Sequence, residues 1–219
     1  ITDGCSNQGT DPAAMAAFAR EQGITVNVIG VMENDVIDDQ GLREIEAIAA
    51  AGGGVSQVVY AQALSQTVQM VTRKAMATTI QGVVNNELKQ ILGKSASIEE
   101  LPPDKRGEVI EVVDELSETS SLEVLVLVDT SASMKHKLPT VKESLIDLSI
   151  SLNARVGKNK FSVFIFPGKK DDVEKLLDWT PKLESLSKVF SKLSPRGITP
   201  TGPAISRSEE RRVGKECRR

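Results

Sequence analysis

The stretch "LEVLVLVDTSAS", residues 122 to 133, decides the predicted fold of this chain. Residues 122 to 128 are apolar apart from Glu123, which is typical of a central strand buried on both faces of a parallel sheet. Asp129 follows at the carboxyl end of that strand. Because ligands of open α/β sheets bind at the carboxyl ends of strands, the stretch predicts an α/β fold with a site at Asp129.

Strands and helices alternate on both sides of this stretch, as expected for a parallel sheet covered by helices. Strands are predicted at 24–32, 55–61, 122–130, 160–168 and 173–181, with another ending in "ITDG" at residues 1–4. Helices are predicted at 11–23, 41–51, 138–157 and 183–193. The pattern predicts an α/β fold with a doubly wound, mostly parallel six-stranded sheet flanked by helices.

Residues 65–120 interrupt the alternation with two predicted helices and a polar joint that contains Pro102 and Pro103. The second helix carries apolar residues at i, i+3, i+4 and i+7, which gives it one apolar face. Two interpretations stay open: the helices pack on the protein's own sheet, or an amphipathic helix binds a partner.

Composition excludes several classes of function. Aromatic residues make up 3% of the 219-residue chain and the formal net charge is −3, which disfavours binding of nucleic acid or an anionic membrane. No apolar run has the length of a membrane span. Cys5 and Cys217 form no CxxC pair, and His136 is the single histidine, so a zinc site or a Ser-His-Asp triad is not expected.

The C-terminal residues 207–217, "RSEERRVGKEC", match the translation of a common sequencing adapter. We therefore expect residues 207–219 to be an artefactual tail and leave them out of the functional argument. Without its six basic and three acidic residues the formal net charge becomes −6. Cys5 then stays as a single thiol, which suits a reducing compartment.

The chemistry-bearing motif is "DTSAS", residues 129–133, with Asp129, Ser131 and Ser133 in D-x-S-x-S spacing. One carboxylate and two hydroxyls are oxygen ligands of low charge, which suit Mg²⁺ or Mn²⁺ better than zinc. The structural alternative is a turn or helix N-cap, where Asp and Ser are common.

Two further motifs make the chain similar to the von Willebrand factor type A (VWA) domain family with its metal-ion-dependent adhesion site. The motifs are "GITPTG" at 197–202 and "ITDG" at 1–4. The resemblance implies a Mg²⁺ or Mn²⁺ site formed by Asp129, Ser131, Ser133, Thr199 and Asp3. Thr201 is the less favoured threonine, since it lies two residues late in the G-x-T-P pattern.

The resemblance also implies how the site works. The hydroxyls would bind the cation directly or through water, and the two aspartates would hold water ligands in some states. A sixth position would stay open for a Glu or Asp carboxylate of a protein partner. Such an incoming acid gains a strong contact because neutral hydroxyls leave the cation under-neutralised. Members of the family inside cells often work beside ATPases or in multiprotein assemblies.

The order of the motifs differs from the family, because the aspartate motif comes first here. We expect a sequence that begins within a strand and a circularly permuted domain. Residues 1–64 would then form its C-terminal half, 65–120 a helical connector and 121–206 its N-terminal half. The alternative is two neighbouring domains, each cut in half.

The expected function is a non-enzymatic, cytoplasmic protein-interaction module that binds neither nucleic acid nor membrane. A Mg²⁺-dependent hydrolase is the first alternative, although no general base is visible and an aspartyl-phosphate phosphatase would want Asp at the position of Ser131. A structural domain with an empty site is the second. No phosphate-binding G-x-x-x-x-G-K-[ST] loop occurs.

Overall fold

A computed structural model describes residues 1–32, 39–92, 97–183, 186–190, 193, 195 and 197–207. The expected adapter tail lies outside the described residues from position 208 onward, and so do parts of the segment 183–193 that was predicted as a helix. The described part of the chain is an α/β structure, as the alternating sequence pattern predicts.

The described strands form two small sheets. The strands are β1 (Val26–Met32), β2 (Gly53–Tyr60), β3 (Leu122–Asp129), β4 (Asn159–Phe166) and β5 (Glu174–Thr180). In the first sheet β1 pairs with β2 in parallel. In the second, β3 pairs with β4 in parallel and β4 pairs with the edge strand β5 in antiparallel fashion. The predicted positions of these five strands are confirmed to within two residues at each end.

The predicted six-stranded, mostly parallel sheet is wrong, because the described strands number five and divide into sheets of two and three. The missing sixth strand is "ITDG", of which only Thr2 makes a β-bridge, to Gly30. Its neighbour Ile1 accepts a hydrogen bond from the Asp129 amide at 2.9 Å. One residue pair is too short for a ladder, and a cavity of about 430 Å³ lies between β1, β3 and the helix that follows β2.

Helices surround the strands in the described part of the chain. They are α1 (Pro12–Glu21), α2 (Asp39–Ala51), α3 (Leu64–Leu92), α4 (Pro103–Thr119), α5 (Leu138–Asn153) and α6 (Leu186–Phe190). Residues 201–207 are also helical. α1 begins as predicted, with the Asp11 carboxylate accepting from the Ala13 amide and Pro12 in the first turn.

The main hydrophobic core joins segments that are far apart in the sequence. It combines Ile29 and Val31 of β1, Val126 and Val128 of β3, and the buried face of α5. α3 adds Leu64, Val68 and Val71 to the same cluster. The N-terminal part of α3 therefore packs on the protein's own strands, which was one of the two interpretations of residues 65–120, while α4 packs on α3.

The loop that carries the site is placed by this core. β3 delivers Asp129, and a short 3-10 helix, Ala132–His136, follows directly. The Met134 side chain of this helix is fully buried in the main cluster. Its burial anchors the loop to the core. α5 then begins with Pro139 in its first turn, where the missing N–H of proline costs no hydrogen bond.

Candidate functional site

Asp129 is the most buried member of the candidate site, with a fully buried side chain. Its Oδ1 accepts from the Ser131 amide at 2.7 Å, and its Oδ2 accepts from the Thr2 hydroxyl at 2.7 Å. Burial raises the pKa of the Asp129 carboxyl, and hydrogen bonds from Ser131 and Thr2 oppose that rise. The carboxylate is therefore held rigidly and carries a desolvated charge when ionised.

Thr130 fixes the backbone between the two site residues that flank it. Its amide donates to the Phe166 carbonyl at 2.7 Å and continues the ladder with β4. Its hydroxyl lies within hydrogen-bond distance of the Phe166 and Pro167 carbonyls. Because neighbouring side chains of an extended chain alternate in direction, this anchor leaves Asp129 and Ser131 together on the other side.

The motifs "ITDG" and "DTSAS" meet at Ser133. The Oγ atoms of Ser131 and Ser133 lie 3.1 Å apart, within hydrogen-bond distance. The Ser133 hydroxyl also donates to Asp3 Oδ1 at 2.8 Å. Ser131 is buried, whereas Ser133 is exposed, so this end of the cluster faces solvent. Four of the five predicted residues thus form one connected group of oxygen atoms.

Lys137 closes the group with a positive charge. Its Nζ lies 2.6 Å from Asp3 Oδ2, with side chains that are 12% exposed for Lys137 and 2% for Asp3. Lys137 and Thr2 were not among the predicted site residues. No local signal marked Lys137, one of two lysines around an exposed histidine, and Thr2 could have been suspected only from its place beside Asp3.

Thr199, the fifth predicted residue, is tied to the loop that follows Asp3. Its amide donates to Asn7 Oδ1 at 2.8 Å, and its carbonyl accepts from the Asn7 amide at 3.2 Å. The Ser6 hydroxyl donates to the same carbonyl at 3.2 Å, and the Ser6 amide donates to Glu44 Oε1 at 2.7 Å. The bonds to Thr199 are all made by its backbone. They join the segment 197–202 to the residues that follow Asp3.

Thr201 has an unusual hydroxyl. The Oγ1 atom of this 8%-exposed residue is buried and has no hydrogen-bond partner among the described residues. The adjacent Gly202 lies so close to the Thr10 carbonyl oxygen that a Cβ there would collide with it. A buried donor without a partner is costly, so Thr201 is a second candidate for the threonine ligand.

The donor set fits a hard divalent cation. Carboxylate and hydroxyl oxygens of two segments, 1–3 and 129–133, lie together, Ser133 opens to solvent, and the buried Thr201 hydroxyl has no hydrogen-bond partner among the described residues. Among the described residues no three His, Cys, Asp or Glu side chains form a group that could hold a metal. Any cation here would thus depend on hydroxyl ligands, since Asp3 and Asp129 are only two carboxylates.

A protein of Bacillus subtilis (strain 168), described as the uncharacterized protein YabS, is 72% identical to this chain over 205 residues. The match covers 94% of this chain and 84% of that protein. This chain belongs to the YabS family. No family model matches the sequence.

A solved structure is also similar to this chain. The crystal structure of an uncharacterized protein from Alicyclobacillus acidocaldarius subsp. acidocaldarius superposes with a TM-score of 0.91 at 40% sequence identity. The similarity covers 99% of this chain and 93% of that one. Within the described residues, no helix is both long and apolar enough to cross a bilayer.

Proposed function

We propose that this member of the YabS family is a metal-dependent protein-interaction module, with a VWA-type site for Mg²⁺ or Mn²⁺. The observation that carries the proposal is the hydrogen bond from Ser133 to Asp3 at 2.8 Å, which spans 130 positions of the sequence. The motifs "ITDG" and "DTSAS", which lie far apart in the sequence, meet at this bond, at the carboxyl end of a buried strand.

The chain's own residues would have distinct tasks at such a site. Ser131, Ser133 and a threonine, Thr199 or Thr201, would offer neutral oxygen ligands. Asp129 and Asp3 would hold water ligands through their carboxylates. When bound, the cation would supply positive charge that hydroxyls leave partly uncompensated, and a partner's Glu or Asp would be attracted to it.

The exposed position of Ser133 supports binding of a partner at this face. The rest of the cluster is buried, so an incoming carboxylate would approach from the side of Ser133. The resemblance to the VWA family suggests a cytoplasmic partner that is an ATPase or part of a multiprotein assembly. The described residues of this hydrogen-bonded group include no histidine that could act as a general base. This favours binding of a partner over hydrolysis.

A permuted single domain remains part of the proposal. Residues 1–64 and 121–206 would be its two halves, with 65–120 as the helical connector. Contacts of Asp3 with Ser133 and Lys137, and the shared core of β1, β3 and α3, support one domain over two half-domains.

The test is a titration with Mg²⁺ or Mn²⁺ alone, read by thermal unfolding of the full chain. At a concentration of 100 times Kd a single site adds about 2.7 kcal/mol to the free energy of unfolding. For a protein of this size that corresponds to a rise in Tm of about 5–10 °C. Asp129→Ala should lose this rise, because it removes the central carboxylate of the cluster.

Asp114→Ala is the matched control, since Asp114 is an exposed acid of α4 and its loss changes the net charge equally. Its response to Mg²⁺ should equal that of the parent. A parent protein with no response to either cation would contradict the proposal. Mg²⁺-dependent hydrolysis of p-nitrophenyl phosphate that Asp129→Ala abolishes would favour the hydrolase alternative instead.

A further inference from the structure

The Asp3 carboxylate has no free oxygen in the cluster. The Ser133 hydroxyl donates to Oδ1 and the Lys137 ammonium binds Oδ2, at 2.8 and 2.6 Å. Both side chains of the ion pair are largely buried, at 2% and 12% exposure. The ammonium compensates the charge of this largely buried carboxylate, and loss of one partner of such a pair is strongly destabilising.

Lys137 combines a fixed backbone with a long, flexible side chain. Its backbone is fixed, with its amide donating to the Met134 carbonyl at 2.9 Å between the 3-10 helix and α5. Its side chain has four carbons and ends beside the solvent-facing Ser133. Displacement of the ammonium from Asp3 would thus require rotation of a flexible side chain and no break in this backbone hydrogen bond.

A divalent cation near Asp3 and the ammonium of Lys137 cannot share this carboxylate without strong repulsion. Two positive charges a few ångströms apart in a partly buried site repel each other by several times the thermal energy. Binding of one must displace the other. This competition is a property of the geometry around Asp3 and does not depend on which threonine is a ligand.

We propose that Lys137 is the resident counter-cation of the metal-free site and competes with the divalent cation for Asp3, so that it sets the threshold for metal binding. The inference rests on the proposed function and adds its regulation. The lysine keeps the site closed and ordered at low cation concentration. Metal binding releases the ammonium to solvent.

Chemical labelling tests this on the unmodified protein. An amine-acetylating reagent, with sites read by mass spectrometry, should label Lys137 slowly without metal and at least about tenfold faster in saturating Mg²⁺. The exposed Lys135, two residues away, is the internal control and should react equally in both. Equal labelling of Lys137 in both conditions, with Mg²⁺ binding seen by calorimetry, would overturn the inference.

Variants give the second measurement. Lys137→Met should bind Mg²⁺ at least about tenfold more tightly than the parent and melt at a lower temperature without metal, whereas Lys135→Met should do neither. Parent binding with unchanged affinity in Lys137→Met would overturn this inference alone. Absence of Mg²⁺ binding in the parent and in both variants would overturn the proposed function itself.

Discussion

Replacing Thr201 by valine should stabilise the metal-free protein while it weakens the response to Mg²⁺. The Thr201 Oγ1 atom is buried without a hydrogen-bond partner among the described residues. Valine has the same branched shape and nearly the same helix propensity, and it removes the unpaired hydroxyl. An unsatisfied buried polar group costs about 1–3 kcal/mol, and we expect a gain of about 1 kcal/mol in the free energy of unfolding.

The Mg²⁺ response should change in the opposite direction. If Thr201 supplies a ligand, its loss should weaken binding about tenfold. At a concentration where the parent gains about 2.7 kcal/mol, the variant would then gain only about 1.4 kcal/mol. Urea unfolding with and without Mg²⁺ measures both quantities in one experiment.

Thr199→Val is the matched comparison, since it tests the other threonine of the same loop. A reduced Mg²⁺ response in Thr199→Val alone would assign the ligand to Thr199, as the sequence motif predicted. A metal-free Thr201→Val protein that is less stable than the parent by more than about 0.5 kcal/mol would refute the reasoning, because it would mean that the hydroxyl has a favourable contact.

Two more predictions concern the buried Arg155 and the titration of Asp129. Arg155→Met should lower the free energy of unfolding by about 3 kcal/mol in urea, because the buried guanidinium donates to the carbonyls of Ser117 and Ser120 and to Asn159; Arg155→Lys should recover little, since an ammonium lacks the planar fork. Burial raises the pKa of Asp129 above its ordinary value of 3.8, so the folded metal-free protein binds a proton more tightly than the unfolded chain. This stabilisation is full below the unfolded pKa and is lost as pH rises through the folded pKa, and urea titrations across this range should show a decline that Asp129→Asn lacks.

The individual elements could be predicted because their signals are local. Apolar β-branched runs marked β1 and β3, and the Asp11–Pro12 pair marked the start of α1. The bounds differ by up to two residues at strand ends, where the chain pattern changes gradually. The antiparallel edge strand β5 was also placed correctly, since Pro181 limits it.

The pairing of strands could not be predicted in the same way, because it depends on contacts between distant segments. The pattern "ITDG" has the composition of a strand end, yet a ladder needs several residues in register. Only Thr2 makes such a bridge, to Gly30, and the edges of β1 and β3 beyond it are separated by a cavity. The sequence pattern contains no measure of that separation.

The sequence predicted the acids and serines of the candidate site but not the residues that bind the two acids. The resemblance to the VWA family grouped Asp129, Ser131, Ser133 and Asp3, and hydrogen bonds connect these four residues in the structure. The partners of the two acids, Thr2 and Lys137, come from long-range packing and have no motif. An unpaired hydroxyl such as that of Thr201 is likewise visible only in three dimensions.

The two carboxylates of the site, Asp129 and Asp3, have different hydrogen-bond partners in the metal-free protein. Asp129 is bound by a backbone amide and a hydroxyl, so its charge is hydrogen-bonded by neutral groups. Asp3 already has an ammonium on one oxygen. A divalent cation would therefore provide new charge compensation at Asp129 but would replace one positive charge with another at Asp3. On the proposed competition, the free energy gained on cation binding would come mainly from Asp129, while Lys137 and Asp3 would set how much cation is needed before the exchange occurs.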